Sequence, residues 1–268
     1  MIKTIGIPCD LNSSFMKGTA AAPDIIRQMD SDGSANSYAE NGCKVKAGET
    51  YIDLGNMQFD HDSDSQTIHQ KIVDKVRLSL QDNSKLISLG GDHAISYPII
   101  EAYAEKHPNL NILHFDAHPD LYHNFQDNPY SHASPFARIM ENKLAKSLTQ
   151  VGIRTLDSHQ RQQSKKFKVK VFEMKDFDKA VIMEYINRLT GPLYISIDMD
   201  ALDPSCAPGV SHHEPGGLLT RDLLNILQGI KVEVVGADIV EYNPKRDINN
   251  MTAMVAYKLF KEVMSKML

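Results

Sequence analysis

The sequence predicts a single α/β domain, a three-layer α/β/α sandwich around a mainly parallel sheet of roughly eight strands. Short apolar, β-branched runs recur eight times along the 268 residues. Segments with helical spacing lie between most of them, and the runs are close to continuously apolar. Strands that lack an inside-outside alternation are covered on both faces, as in parallel sheets flanked by helices.

Ile2–Ile7 is the first such run and residues 51–54 the second, with a polar, soft stretch over 31–48 between them. Residues 67–80 place Ile68, Ile72, Val73, Val76 and Leu80 at helical spacing, which predicts a helix with one buried face. Residues 85–89 form the third strand, 95–107 the next helix and Asn111–Phe115 the fourth strand, followed by a second soft loop over 121–135. Strands over 149–153 and 168–172 lead to a helix over 177–189. The seventh strand covers 194–197, a helix 221–230, the eighth strand 232–240 and the closing helix 250–267. Nothing repeats and no linker divides these elements, so residues 1–268 are expected to form one domain.

With 42% hydrophobic and 24% charged residues, the chain can bury a large core without disulfides or a structural metal. A net charge of -5 provides no basic stripe for nucleic acid or an anionic membrane. The first residues turn polar too soon for a signal peptide, and no run of about 18 apolar residues could span a bilayer. Cys9, Cys43 and Cys206 form no CxxC pair, the usage of a reducing compartment, so a soluble, cytoplasmic protein with idle thiols is expected.

Polar clusters follow four of the strands, at the carboxyl ends where open α/β sheets hold their ligands. Gly90-Gly91-Asp92-His93 follows the third strand, Asp116-Ala117-His118-Pro119-Asp120 the fourth, Asp198-Met199-Asp200 the seventh, and Glu241 the eighth. Alternate residues of an extended segment point the same way, so Asp116, His118 and Asp120 can aim at one point, as can Asp198 and Asp200. Four carboxylates gathered without a cation would raise one another's pKa severely. Carboxylates with a minority of imidazole and no thiolate suit manganese or a similar divalent ion. Six candidate ligands, His93, Asp116, His118, Asp120, Asp198 and Asp200, fit two ions roughly 3.5–4 Å apart that acidify a shared water. A lone DxD is often only a solvated turn, but three such motifs on three strand ends make that bland reading weak.

The motifs Gly90-Gly91-Asp92-His93-Ala94, Phe115 to Asp120 and Ser196 to Pro204 resemble the three signatures of the ureohydrolases, the family of arginases and agmatinases. Asn12-Ser13-Ser14-Phe15, Tyr130 to Ser134, Ala207 to His212 and Met251 to Met254 resemble the plant-type arginases, so the likeness spans nearly the whole chain. The resemblance implies two Mn2+ ions, one held by His93, Asp116, Asp120 and Asp198, the other by Asp116, His118, Asp198 and Asp200. It implies a catalytic group of His132 as proton shuttle and Glu241 as guanidinium grip, with Asp120 beside them. It further implies a homo-oligomer, trimer or hexamer, acting on a small guanidino substrate. A planar guanidinium needs a carboxylate to orient it, and the leaving amine needs a proton.

The loop from Tyr122 to Ser131 does not resemble the amino-acid clamp of animal arginases, and Ser131-His132-Ala133-Ser134 departs from the agmatinase form. Arginine is therefore the first expected substrate, with agmatine or another guanidino acid as the alternative, and Asn124, Asn128, Ser131 and Asp157 are expected to meet the substrate's tail. Two readings from other classes remain, a metal-bearing scaffold without turnover and a deacetylase-like amidohydrolase. The intact ligand set opposes the first and the two metal sites oppose the second. His212 and His213 are expected to be loop structure, His114 a packed strand residue, and Asp203 a brace for the DxD turn. His61, His69, His107 and His159 are expected on the surface, and the scattered methionines build no site.

Overall fold

The computed structural model describes residues 1–268. In chain order the strands are β1 (Ile2–Ile7), β2 (Ile52–Asn56), β3 (Lys85–Gly90), β4 (Asn111–Phe115), β5 (Ser147–Ile153), β6 (Lys170–Glu173), β7 (Leu193–Asp198) and β8 (Val234–Val240). The helices are α1 (Ala22–Ser31), α2 (Ser65–Leu80), α3 (Ser96–Lys106), α4 (Pro135–Glu141), α5 (Ser158–Lys166), α6 (Lys179–Ile186), α7 (Thr220–Gly229) and α8 (Met251–Met267). One eight-stranded sheet runs in the order β2-β1-β3-β8-β7-β4-β5-β6, and every pairing is parallel.

Successive strand residues feed two separate apolar layers, which is what makes the sandwich three-layered. Ile87, Leu89, Leu113, Phe115, Ile195 and Ile197 pack with α1, α7 and α8 on one face. Leu86, Ile112 and Tyr194 pack with α2, α3 and α4 on the other. The expected strands and helices are all present, with ends shifted by a few residues, and the structure adds three helices, α1, α4 and α5. Helix α5 buries Gln160, Gln163 and Ser164, so no hydrophobic period marks it. Helix α4 has only seven residues, whereas α1 does carry a signal, with Pro23 in its first turn and Ile26 and Met29 on one buried face.

The soft stretch over 31–48 is pinned rather than loose. Ala39 and Val45 are buried, and Glu40 pairs with Arg221 on α7 and Lys258 on α8. No helix is long and apolar enough to cross a membrane.

Strand order explains how the four polar clusters meet. β3, β8, β7 and β4 lie side by side at the centre of the sheet, so their carboxyl ends open onto one cleft. Gly91 closes this corner tightly: a Cβ there would lie 1.8 Å from the Cys9 carbonyl oxygen, while the Gly91 carbonyl accepts from the Glu241 N–H. Only a glycine lets the end of β3 pass between the ends of β1 and β8.

Candidate active site

His93 begins the turn after β3 and is fully buried. Its Nε2 lies 2.9 Å from Ser196 Oγ, and the Ser196 hydroxyl donates to Asp238 at 2.6 Å. With that proton engaged, Ser196 accepts from His93 Nε2–H, leaving a lone pair on Nδ1 in the neutral ring. Nδ1 faces three carboxylate oxygens, those of Asp116 at 3.1 Å and of Asp120 and Asp198 at 3.2 Å each. It is a buried ring nitrogen without a hydrogen-bond partner. Burial opposes a charged ring here, yet the three carboxylates overcome it and hold the imidazole pKa well above its ordinary value. A site that attracts a proton so strongly is built for a cation.

A second focus adjoins the first. His118 Nδ1 lies 3.0 Å from Asp200 Oδ2 and 3.4 Å from Asp116 Oδ1, so Asp116 faces both histidines. The expected extended DxHxD segment is not what brings these groups together. β4 ends at Phe115, the His118 N–H turns back to Asp116 Oδ1 at 2.6 Å, and Asp120 takes a left-handed φ of 50°. In the DxD motif a short 3₁₀ turn replaces extension, held by the Asp200 N–H on Asp198 Oδ1 at 2.7 Å.

Buried partners aim these carboxylates. Gln150 Nε2 donates to His114 Nδ1 at 3.0 Å, so His114 Nε2–H donates to Asp116 Oδ2 at 2.7 Å. His114 is packed against Phe136, as expected, and it also orients an acid of the cluster. Asp203 does not brace the DxD turn. It accepts from the main chain at Ser205, Gly216 and Gly217, so it fastens the loop that follows.

Across the cleft, Ser14 N–H donates to His132 Nε2 at 3.1 Å, which makes Nδ1 the protonated nitrogen that donates to Glu241 Oε1 at 2.8 Å. Burial opposes the charged imidazole, but Glu241 outweighs it and raises the His132 pKa to about 9. Burial pushes the Glu241 carboxyl up while His132 pulls it down, and the net direction is down. Glu241 Oε1 also accepts the His93 N–H at 2.9 Å, leaving Oε2 without a protein donor. Like Asp120, Glu241 is left-handed, with φ 62°, a conformation that non-glycine residues keep only where their surroundings impose it.

These groups line a cleft of about 230 Å³ with Ser14, Tyr122, Phe125, Ala133, Thr155, Gln160, His212 and Glu214. The four residues expected to meet a substrate tail do not line it. Asn124 is exposed, and Asn128 spends its amide on Asn12 Oδ1 at 3.0 Å. Ser131 is buried behind the wall, and Asp157 caps α5 while accepting the Tyr122 hydroxyl at 2.6 Å. His212 is more than the loop structure expected: its ring sits between those of His118 and His132, at centroid distances of 5.8 and 5.6 Å. His213 points away, to the Pro208 carbonyl and Arg246. Alternation along an extended segment sends one of two adjacent histidines inward, a signal that the sequence did carry. His69 is half-buried against Glu101 and His107 is also half-buried, whereas His61 and His159 are exposed.

Sheet and cleft together define an α/β protein with a paired carboxylate–imidazole centre at the carboxyl edge of a parallel sheet. The family model described as "Arginase family" matches residues 2–265, and the chain belongs to that family. The mitochondrial arginase of Medicago truncatula is 46% identical over 98% of this chain and 81% of the relative. The solved structure of arginase from Medicago truncatula superposes with a TM-score of 0.92 at 44% identity, covering 99% of this chain and 87% of that one. The N(1)-aminopropylagmatine ureohydrolase of Thermus thermophilus is 32% identical over 94% of this chain and 86% of its own length.

Proposed function

We propose that this chain hydrolyses the guanidino group of L-arginine to give L-ornithine and urea, with two divalent cations at the carboxylate cluster, manganese first. The observation that carries this reading is His93 Nδ1, buried, unpartnered and ringed by three carboxylates, two of which, Asp120 and Asp198, line one cleft with Glu241 and His132. His93, Asp116, Asp120 and Asp198 would hold one ion, and Asp116, His118, Asp198 and Asp200 the other. When bound, the ions supply positive charge that acidifies water for attack on the guanidinium carbon.

The chain's own groups account for the rest. Glu241 Oε2, free of protein donors, accepts from the guanidinium N–H groups and fixes the plane of the cation. His132 holds its Nδ1 proton against Glu241, and its Nε2, 2.8 Å from the Ser14 hydroxyl, takes the proton given up by the attacking water and passes it to the departing amine. The C–N bond to the substrate chain breaks, the amine leaves protonated and the carbon departs as urea.

Agmatine hydrolysis is the second reading. The cleft wall carries neither Lys nor Arg that would pair with an α-carboxylate, and agmatine has none to pair. Urea release from arginine and agmatine, measured side by side on manganese-loaded protein, decides between them. No release from either refutes the proposal. A homo-oligomer, trimer or hexamer, and a cytoplasmic location belong to the same proposal. The first rests on the family resemblance and is checked by light scattering. The second rests on the three free cysteines and is checked by fractionation.

A further inference from the structure

We propose that Ser14 is the positioning residue of the proton carrier: its main-chain N–H and its hydroxyl oxygen together hold His132 Nε2 whether or not that nitrogen bears a proton. This rests on the guanidino-hydrolase reading and adds a residue to its machinery.

A proton carrier passes through two states that ask opposite things of a neighbour. A bare ring nitrogen has a lone pair and needs a donor, whereas a protonated one needs an acceptor. His132 Nδ1 does not face this problem, because it keeps its proton and donates to Glu241 Oε1 at 2.8 Å. Nε2 does face it, and both of its neighbours come from one residue. The Ser14 main-chain nitrogen lies 3.1 Å away and the hydroxyl oxygen 2.8 Å away. With Nε2 bare, the Ser14 N–H donates to it. With Nε2 protonated, the ring donates to the hydroxyl oxygen, whose own hydrogen turns into the cleft that Ser14 lines. A main-chain N–H alone would leave the charged ring facing a second donor, and a buried donor without an acceptor is costly.

The surrounding chain keeps Ser14 in that place. Ser14 follows β1 and His132 follows β4, strands that are not neighbours in the sheet, so loops must make the contact. The His132 N–H donates to the Asn12 carbonyl at 3.3 Å, which joins the two loops. Asp92 Oδ2 accepts the Asn12 N–H at 2.9 Å and the Ser13 hydroxyl at 3.3 Å, and the Asp92 N–H donates to the Cys9 carbonyl at 2.8 Å. Asp92 is fully buried, and its other oxygen accepts the Ala94 N–H at 3.2 Å, so the acid of the Gly90-Gly91-Asp92-His93 motif serves the loop and not the cluster. Asn12 Oδ1 in turn accepts from Ser65 Oγ at 2.8 Å and from Asn128 Nδ2 at 3.0 Å, which braces the segment from α2 and from the loop before His132. Both the Asn12-Ser13-Ser14 run and Asp92 thereby act on one ring nitrogen.

The test is a double-mutant cycle on the full chain loaded with manganese, using whichever of arginine and agmatine the wild type hydrolyses faster. Ser14→Ala keeps the main-chain N–H and removes the hydroxyl, so kcat should fall about tenfold while KM and metal content stay at wild-type values. Ser14→Thr restores a hydroxyl and should recover most of the loss. In the His132→Asn background Ser14→Ala should cost nothing further, because a residue that acts through His132 has nothing left to hold. An unchanged kcat in Ser14→Ala, a loss that Ser14→Thr does not recover, or the same loss in the His132→Asn background each overturn the proposal. Wild-type protein that releases urea from neither substrate refutes instead the hydrolase reading on which it rests.

Discussion

Replacing His132 with Asn separates proton transfer from metal binding. The imidazole contacts Ser14 and Glu241 but none of the six cluster residues, so His132→Asn should keep close to two metals per chain. It removes the atom assigned to proton delivery, and a positioned acid or base contributes about 10²–10⁴-fold, or roughly 3–5 kcal/mol of barrier. Stability should change as well. In the metal-free protein Glu241 raises the His132 pKa to about 9 from 6.5, a differential interaction of about 3 kcal/mol. A folded-state pKa above the unfolded one stabilises the fold fully below about pH 6.5, and the benefit is lost as pH rises through about 9. The melting temperature of metal-free wild type should therefore fall relative to the variant between those values. Metal analysis, urea kinetics and melts at pH 6 and pH 9.5 test the reasoning. Wild-type turnover in His132→Asn would remove His132 from the reaction, and parallel melting curves would remove the charged pair.

Asp198→Asn should lose most of its metal and its activity together, because an amide supplies neither the charge nor the second anionic oxygen beside His93. Full metal content measured by elemental analysis would contradict the assignment. Glu241→Gln should keep both metals and raise KM for guanidino substrates, since Oε2 faces the cleft rather than the cluster. Metal loss there would show the role misassigned. Gly91→Ala forces a methyl to within 1.8 Å of a main-chain oxygen, and a melt should report a loss of about 2–4 kcal/mol. An unchanged melting temperature would mean that the β1 corner yields freely.

The cluster residues were legible because each follows an apolar run, and a strand that ends in acids at a sheet's carboxyl edge is a local pattern. Adjacency of β3, β8, β7 and β4 was not local. It depends on pairings between residues far apart in sequence, such as Leu86 with Gly236, that no periodicity records. Helix α5 escaped notice because glutamines rather than aliphatics face inward, and Gln160 escaped with it. Asn128 is polar and near His132 in sequence, but its amide is spent on Asn12, and the Asp157 carboxylate is spent on the cap of α5. Legible chemistry came from strand ends, and illegible chemistry from side chains whose direction is set by tertiary contacts.

The same distinction explains why the centre needs more than its six ligand candidates. Four buried carboxylates repel one another, so each must be held in place before any cation arrives, and that work falls to residues inside the strands. His114 on β4 fixes Asp116, and Gln150 on β5 fixes His114. Ser196 on β7, itself bound by Asp238 on β8, sets which nitrogen of His93 faces the acids. Asp238 also takes hydrogen bonds from Ser96 and Tyr194, so α3 and two central strands converge on one buried acid. Such outer partners orient ligands and tune their basicity. They are also polar groups in an otherwise apolar sheet, and this placement costs stability unless every partner is satisfied. A sheet that keeps Ser, His, Gln and Asp on adjacent central strands has therefore been shaped around the cation site above it, and the fold and the chemistry share those residues.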